Sequence, residues 1–231
     1  MSANSIADNL HALKNEIADI CARCGRNPDD ITILGVTKTH PAETIRQAVA
    51  AGLTQIAENR IQEAELKLTE VGPIARFHMI GHLQTNKVKK AVALFDVIQS
   101  VDSEKLADEI SHRAGERGKT LDCTVEINSS GEPQKSGVSP EQAIALMKYV
   151  NTLPYITLIG VMTVGPLTDD ESEIREAFKL CRNLFYQGRD LFDNHFSVLS
   201  MGMSDDFPLA IAEGSTMIRI GTGLFGPRES R

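Results

Sequence analysis

Eight short apolar runs alternate with eight amphipathic stretches along this chain, and that rhythm limits the fold more than any other feature. The runs are Ile31–Thr37, Gln55–Ala57, Arg76–Ile80, Val97–Ser100, Leu121–Ile127, Thr157–Met162, Val198–Ser200 and Met217–Ile220. Between them lie helical patterns at Ala42–Ala51, Ile61–Glu70, Thr85–Ala93, Ser103–Gly115, Pro140–Asn151, Glu171–Phe192 and Leu209–Glu213. A further helix precedes them all, with Ile6, Leu10, Leu13, Ile17 and Ile20 at three- and four-residue spacing and Gly25 as its stop. Short apolar strands separated by helices pair in parallel and bury both faces. Eight such units predict an α/β chain closed into a (β/α)8 TIM barrel with an extra N-terminal helix. The chain's 231 residues form one domain over 1–231, slightly below the usual ~250 for this fold, so the loops must be short. An open doubly wound sheet would want a glycine-rich turn after the first strand, and Thr37-Lys38-Thr39-His40 is not one.

In such a barrel the carboxyl ends of the strands share one face, where chemistry is done. Lys38 ends the first strand. A lysine amine whose pKa is lowered by desolvation or a neighbouring cation condenses with aldehydes as a Schiff base. Strands seven and eight lead into Ser200-Met201-Gly202-Met203-Ser204 and Arg219-Ile220-Gly221-Thr222, which read as a phosphate cradle. Gly202 and Gly221 let backbone approach an anion, and Ser204 and Thr222 offer hydroxyls. Arg219, on the strand itself, should face a ring or the core. A lysine beside a phosphate cradle suits a phosphorylated aldehyde, of which pyridoxal 5′-phosphate (PLP) is the commonest. The competing reading is of ordinary Gly/Ser turns with Arg219 in an ion pair.

Other residues are open to two readings. Asn59 and His78 could touch a cofactor ring, or serve as a strand-end cap and a satisfied core histidine. His82 could be a general base or a surface residue. The segment from Glu132 to Gly137 reads as a loop over the mouth, where Lys135 attracts anions or is simply solvated. Asp205 and Asp206 start the next helix rather than bind metal. Cys21 and Cys24 have C-x-x-C spacing without a second pair, which favours free thiols. The cytoplasm is then the default compartment. The 31 acidic residues exceed 24 basic ones for a net charge of −7, against a nucleic-acid surface. No apolar run is long enough to span a bilayer. Residues 1–24, with Asp8, Lys14, Glu16 and Asp19, lack the apolar core of a secretory peptide.

Gly35-Val36-Thr37-Lys38-Thr39-His40-Pro41 resembles the lysine motif of the pyridoxal phosphate homeostasis proteins, the YggS/PROSC family. The likeness continues through Glu58-Asn59, Phe77 to Gln84 and Lys135-Ser136-Gly137. It ends in the block from Leu199 through Ser204, Gly214-Ser215-Thr216, Arg219-Ile220-Gly221 and Phe225-Gly226. Two departures are Ala57, where the family usually has glycine, and Arg60, where an aromatic is common. The resemblance implies a fold-type III barrel similar to the N-terminal domain of alanine racemase, with PLP as a Schiff base on Lys38. It implies Ser204, Gly221 and Thr222 at the phosphate, Arg219 at the pyridine nitrogen, and Asn59 and Met203 along the ring. Members are regarded as carriers or regulators of PLP, vitamin B6 and amino-acid pools. PLP-dependent apo-enzymes would be recipients, and the chain is expected as a monomer or weak dimer. The alternative is a slow, racemase-like PLP enzyme. A two-base racemase needs a second acid/base opposite the lysine; Tyr149, Tyr155 and Tyr186 are badly placed for it, which leaves His82. A cofactor-free aldolase is the third possibility.

Overall fold

The computed structural model describes residues 5–132 and 134–226. Eight parallel strands close into a barrel in chain order: β1 (Thr32–Val36), β2 (Gln55–Glu58), β3 (Arg76–Met79), β4 (Val97–Val101), β5 (Leu121–Glu126), β6 (Ile156–Met162), β7 (Val198–Met203) and β8 (Met217–Ile220). β8 returns to β1 with Gly35 opposite Ile220. The long helices α1 (Ile6–Cys24), α2 (Ala42–Ala50), α3 (Ile61–Val71), α4 (Val88–Leu94), α5 (Glu104–Glu116), α6 (Pro140–Val150) and α7 (Glu171–Leu191) are followed by the short α8 (Phe207–Ala212) and α9 (Thr222–Phe225).

The eighth outer helix is only four residues long, too short to cover the seam where the barrel closes. α1 takes its place. It packs against α8, α9 and α2, burying Leu10, Leu13, Ile17, Ile20 and Cys21. Ser5 and Asp8 form a reciprocal capping box at its start, and Gly25 ends it with φ 69°. Asn9 donates to the Leu224 carbonyl and Arg26 to those of Ile211 and Ser215, which ties the helix to the last two strand–helix units.

Most boundaries shift by only one residue from the sequence pattern, and three differences are larger. β7 runs on past Ser200 to Met203, because Gly202 (φ 96°) carries a register shift that lets the strand bend. A Cβ there would meet the Ala210 Cβ at 2.5 Å, so only glycine admits α8 so close. α8 begins at Phe207, ahead of the expected Leu209, since Pro208 fits the first helical turn. The Thr85–Ala93 pattern splits into a 3-10 turn over Thr85–Lys87 and the α4 helix.

Side chains alternate across each strand. Ile56, Phe77, Met79, Val125 and Ile218 face the helices in the main core. The other set fills the lumen, where Leu34, Val36, Ala57 and Met217 make a small separate apolar cluster. Polar side chains share it: His78, Gln99, Thr124, Ser200 and Arg219 are buried there, with Val97 opposite His78 and Met162 opposite Ser200. Barrels of this kind ordinarily fill their centre with layers of branched apolar side chains.

Candidate functional site

The register of β8 on β1 decides which groups meet at the mouth. Lys38 lies two residues beyond Val36, half-buried, in a turn closed by the His40 N–H donating to the Thr37 carbonyl at 3.0 Å. A Cβ on Gly221 would meet the Val36 carbonyl oxygen at 3.5 Å, an ordinary contact distance, so β8 ends beside the Lys38 turn. Thr222 is exposed at the start of α9. The Gly223 N–H points to the Ser204 hydroxyl at 3.5 Å, which joins the turn after β7 to the turn after β8. Met203 is exposed at the end of β7, its N–H donating to Asp206. These residues converge as the strand-end reading required.

Thr39 is the one non-glycine with positive φ (69°) among the described residues. A β-branched residue in that region costs of order 1–3 kcal/mol and must be held by its surroundings. Its N–H donates to Glu63, while the Thr37 hydroxyl donates to Glu58 Oε1 at 2.6 Å. Lys67, buried, donates to the Thr37 carbonyl at 2.7 Å and pairs with Glu58 and Glu63 at 2.6 and 2.8 Å. Burial raises the Glu58 carboxyl and Lys67 opposes that rise.

Beneath the mouth, Arg219 donates through NH1 to the carbonyl and hydroxyl of Ser200 at 2.8 and 2.9 Å, and through NH2 to the Thr163 carbonyl at 2.7 Å. Burial lowers its pKa, and the nearby charges of Asp206 and Glu126 oppose that. Ser200 is therefore committed to the lumen rather than to the turn above it. Its hydroxyl also donates to Gln99 Oε1 at 2.8 Å, and Gln99 Nε2 lies 2.9 Å from His78 Nδ1. With Nδ1 accepting from that amide, the His78 proton sits on Nε2. His78 pairs in register with Ala57, at the level of Val36, so it lies below the mouth. Burial takes its pKa down to about 3, and it is neutral. His78 Nε2 and Asn59 Oδ1 are both buried and without a hydrogen-bond partner among the described residues. Gly81 presses against Asn59: a Cβ there would meet the Asn59 carbonyl oxygen at 2.2 Å.

Glu126 lies inside the apolar run Leu121–Ile127 and is not among the strand-end candidates of the sequence. It is 7% exposed, with Oε2 unpaired, and lines a cavity of about 210 Å³ with His82, Asn128 and Lys135. Burial and the charge of Asp102 push its pKa up to about 7 against the pull of Arg219. The signal was present in Asp122, Thr124 and Glu126, polar at every second position between Cys123, Val125 and Ile127.

The remaining candidates fall as follows. His82 is exposed, with Nδ1 3.6 Å from Asp102. Lys135 pairs with Glu132 and donates to the Gly165 carbonyl at 2.8 Å, bridging two mouth loops; Pro133, inside that loop, lies outside the described residues. Tyr149 on α6 donates to Asp108, Tyr186 is exposed on α7, and Tyr155 precedes β6 at the opposite end of the barrel. All four cysteines are free thiols. Among the described residues there is no cluster of three or more potential metal ligands, and no helix long and apolar enough to cross a membrane.

Residues 9–229 match the family model described as alanine racemase, N-terminal domain. The pyridoxal phosphate homeostasis protein of Aquifex aeolicus is 39% identical over 227 residues, covering 96% of this chain and 98% of that one. The chain belongs to the pyridoxal phosphate homeostasis protein family. A solved structure of a relative, PipY of Synechococcus elongatus with PLP bound, has a TM-score of 0.82 at 35% identity and covers 96% of this chain and 100% of that one. Alanine racemase of Clostridium difficile shares the fold, with a TM-score of 0.74 at 19% identity, and the match covers 96% of this chain and 58% of the racemase. The eight-stranded α/β barrel expected for the family is thus present in full.

Proposed function

We propose that this chain binds PLP at the carboxyl mouth of the barrel and serves PLP (vitamin B6) and amino-acid homeostasis as a carrier without turnover of its own. The observation that carries the reading is Lys38 in the turn after β1, beside the joined turns of Ser204 and Gly221–Gly223, with a buried guanidinium beneath. The residues fit a phosphorylated pyridine aldehyde. Gly221 lies beside the end of β1, and Asn59 offers a buried acceptor that has no partner among the described residues. The relatives' names and the PLP-bound neighbour support it.

Bound PLP supplies an aldehyde that takes up amines and a ring that draws electrons. Lys38 would hold the aldehyde through its amine. The Ser204 and Thr222 hydroxyls and the backbone at Gly221 would hold the phosphate, and Asn59 and Met203 would line the ring. Arg219, fixed by Ser200 and Thr163, would place its positive charge toward the pyridine nitrogen, which would disfavour protonation there and weaken the ring as an electron sink. His78 and Ser200 act one layer down, where they hold Gln99 and Arg219 in place. All of this lies in one domain, and the reading sets the protein in the cytoplasm with PLP-dependent apo-enzymes as recipients.

The test is the visible spectrum after PLP addition, followed by borohydride reduction and peptide mass mapping. A reduced pyridoxyl adduct on Lys38, absent from Lys38→Ala, is the expected result. A protein that takes up no PLP would sink the proposal. Glu126 favours one second reading, a slow enzyme acting on amino acids: it is a buried acid on the wall across from β1, its pKa pushed up to about 7. Steady amino-acid turnover lost in both Lys38→Ala and Glu126→Gln would decide for it.

A further inference from the structure

A buried ion cluster grips the residues on both sides of Lys38. We propose that Glu63 and Lys67 of α3, with Glu58 of β2, form a clamp that aims the Lys38 side chain into the mouth and so sets its readiness to condense with an aldehyde. The proposal rests on Lys38 being the cofactor lysine.

Lys67 donates to the Thr37 carbonyl at 2.7 Å and to Glu63 Oε1 at 2.8 Å, and its ammonium also pairs with Glu58 Oε1 at 2.6 Å. The Thr37 carbonyl accepts two donors, from Lys67 and from the His40 N–H. Thr37 is further fixed by its N–H to the Ala57 carbonyl at 3.1 Å and its hydroxyl to Glu58. Thr39, on the other side, is held by Glu63. Lys38 is then the second residue of a turn whose third residue has φ 69°, a value that turns of this shape normally give to glycine. With both neighbours pinned to one helix face by the i,i+4 pair Glu63–Lys67, the Cα–Cβ direction of Lys38 is set.

Packing alone does not call for this arrangement. An apolar pair would join α3 to β2 as well as or better than buried charges do. What an apolar pair could not do is bind two peptide groups of one turn at once. The clamp residues are therefore positioning residues, acting on Lys38 through Thr37 and Thr39.

The experiment uses the full chain with Lys67→Met, Glu63→Ala and Glu63→Gln. Glu213→Gln serves as control, because it loosens another charged cluster, with Arg175 and Arg182, at the far end of the barrel. The first readout is the pH profile of Lys38 labelling by formaldehyde and cyanoborohydride, mass-mapped without PLP. The second is PLP affinity from the visible absorption. Lys67→Met and Glu63→Ala should shift the labelling midpoint and weaken PLP binding at least about tenfold, as expected for the loss of a charge-assisted hydrogen bond. Glu63→Gln keeps the acceptor and should stay within about threefold of the parent. Glu213→Gln should lower stability and move neither readout. Glu63 is partly exposed, so Glu63→Ala decides the matter if Lys67→Met does not fold. A folded Glu63→Ala with the parent's labelling profile and affinity overturns the clamp. If Lys38→Ala binds PLP as tightly as the parent, the assignment of Lys38 fails, while the labelling profile still reports on the clamp.

Discussion

Glu126→Gln replaces a buried carboxyl by a neutral side chain of nearly the same shape at the end of β5. The folded-state pKa of Glu126 is about 7, above its ordinary 4.5. Between those values the folded chain keeps a proton that the unfolded chain has lost. Stability due to this group is therefore present at low pH and falls as pH rises through the window from 4.5 to 7. The full shift corresponds to roughly 3 kcal/mol of differential interaction. Glutamine does not titrate, so the variant escapes this loss. Relative to the parent, Glu126→Gln should gain about 2–3 kcal/mol between pH ~5 and ~8. Comparing the two proteins cancels the contributions of Glu58 and Asp206, whose carboxyls burial also raises. The assay is urea denaturation at the two pH values without added PLP, so that ligand binding does not enter the linkage. A stability difference that changes by less than about 0.5 kcal/mol across that range would refute the reasoning.

Two more outcomes follow from the same structure. Arg219→Met removes the donors to Ser200 and Thr163 and leaves Glu126 and Asp206 without their counter-charge; urea denaturation should show a loss of about 3–5 kcal/mol. Ile17→Ala empties a buried position on α1 where that helix covers the barrel seam; calorimetry should show a loss of about 2–5 kcal/mol, with the Lys38 adduct still forming.

Much of the site was legible because barrel topology turns strand ends into neighbours. Lys38, Ser204, Gly221 and Thr222 stand at strand ends in the sequence, and the closed ring brings them together whatever their separation along the chain. Side-chain commitments were less legible. Ser200 looked like part of the phosphate turn, but Gly202 lets β7 continue to Met203, and that extension keeps Ser200 inside the lumen as an acceptor for Arg219. His78 could be read two ways. The structure combines them, since Nδ1 is satisfied by Gln99 and Nε2 is left open. Glu126 escaped notice because a carboxylate in a central strand carries no sign of whether its counter-charge lies across the lumen.

By itself the sequence determined the order and type of the elements, because alternating apolar periodicities are local properties, and with them the closed barrel and its one chemical face. It also marked α1 as an amphipathic helix with a stop at Gly25. Only the tertiary structure decided where α1 goes, because the gap it fills exists only once α9 has ended after four residues beside β1. Tertiary structure likewise decided the charge state of the lumen and the grip of Lys67 on the Lys38 turn. Both depend on burial and on residues distant in the chain, the Thr37 contact with Lys67 and the charge of Arg219 acting on Glu126, and no local pattern encodes them.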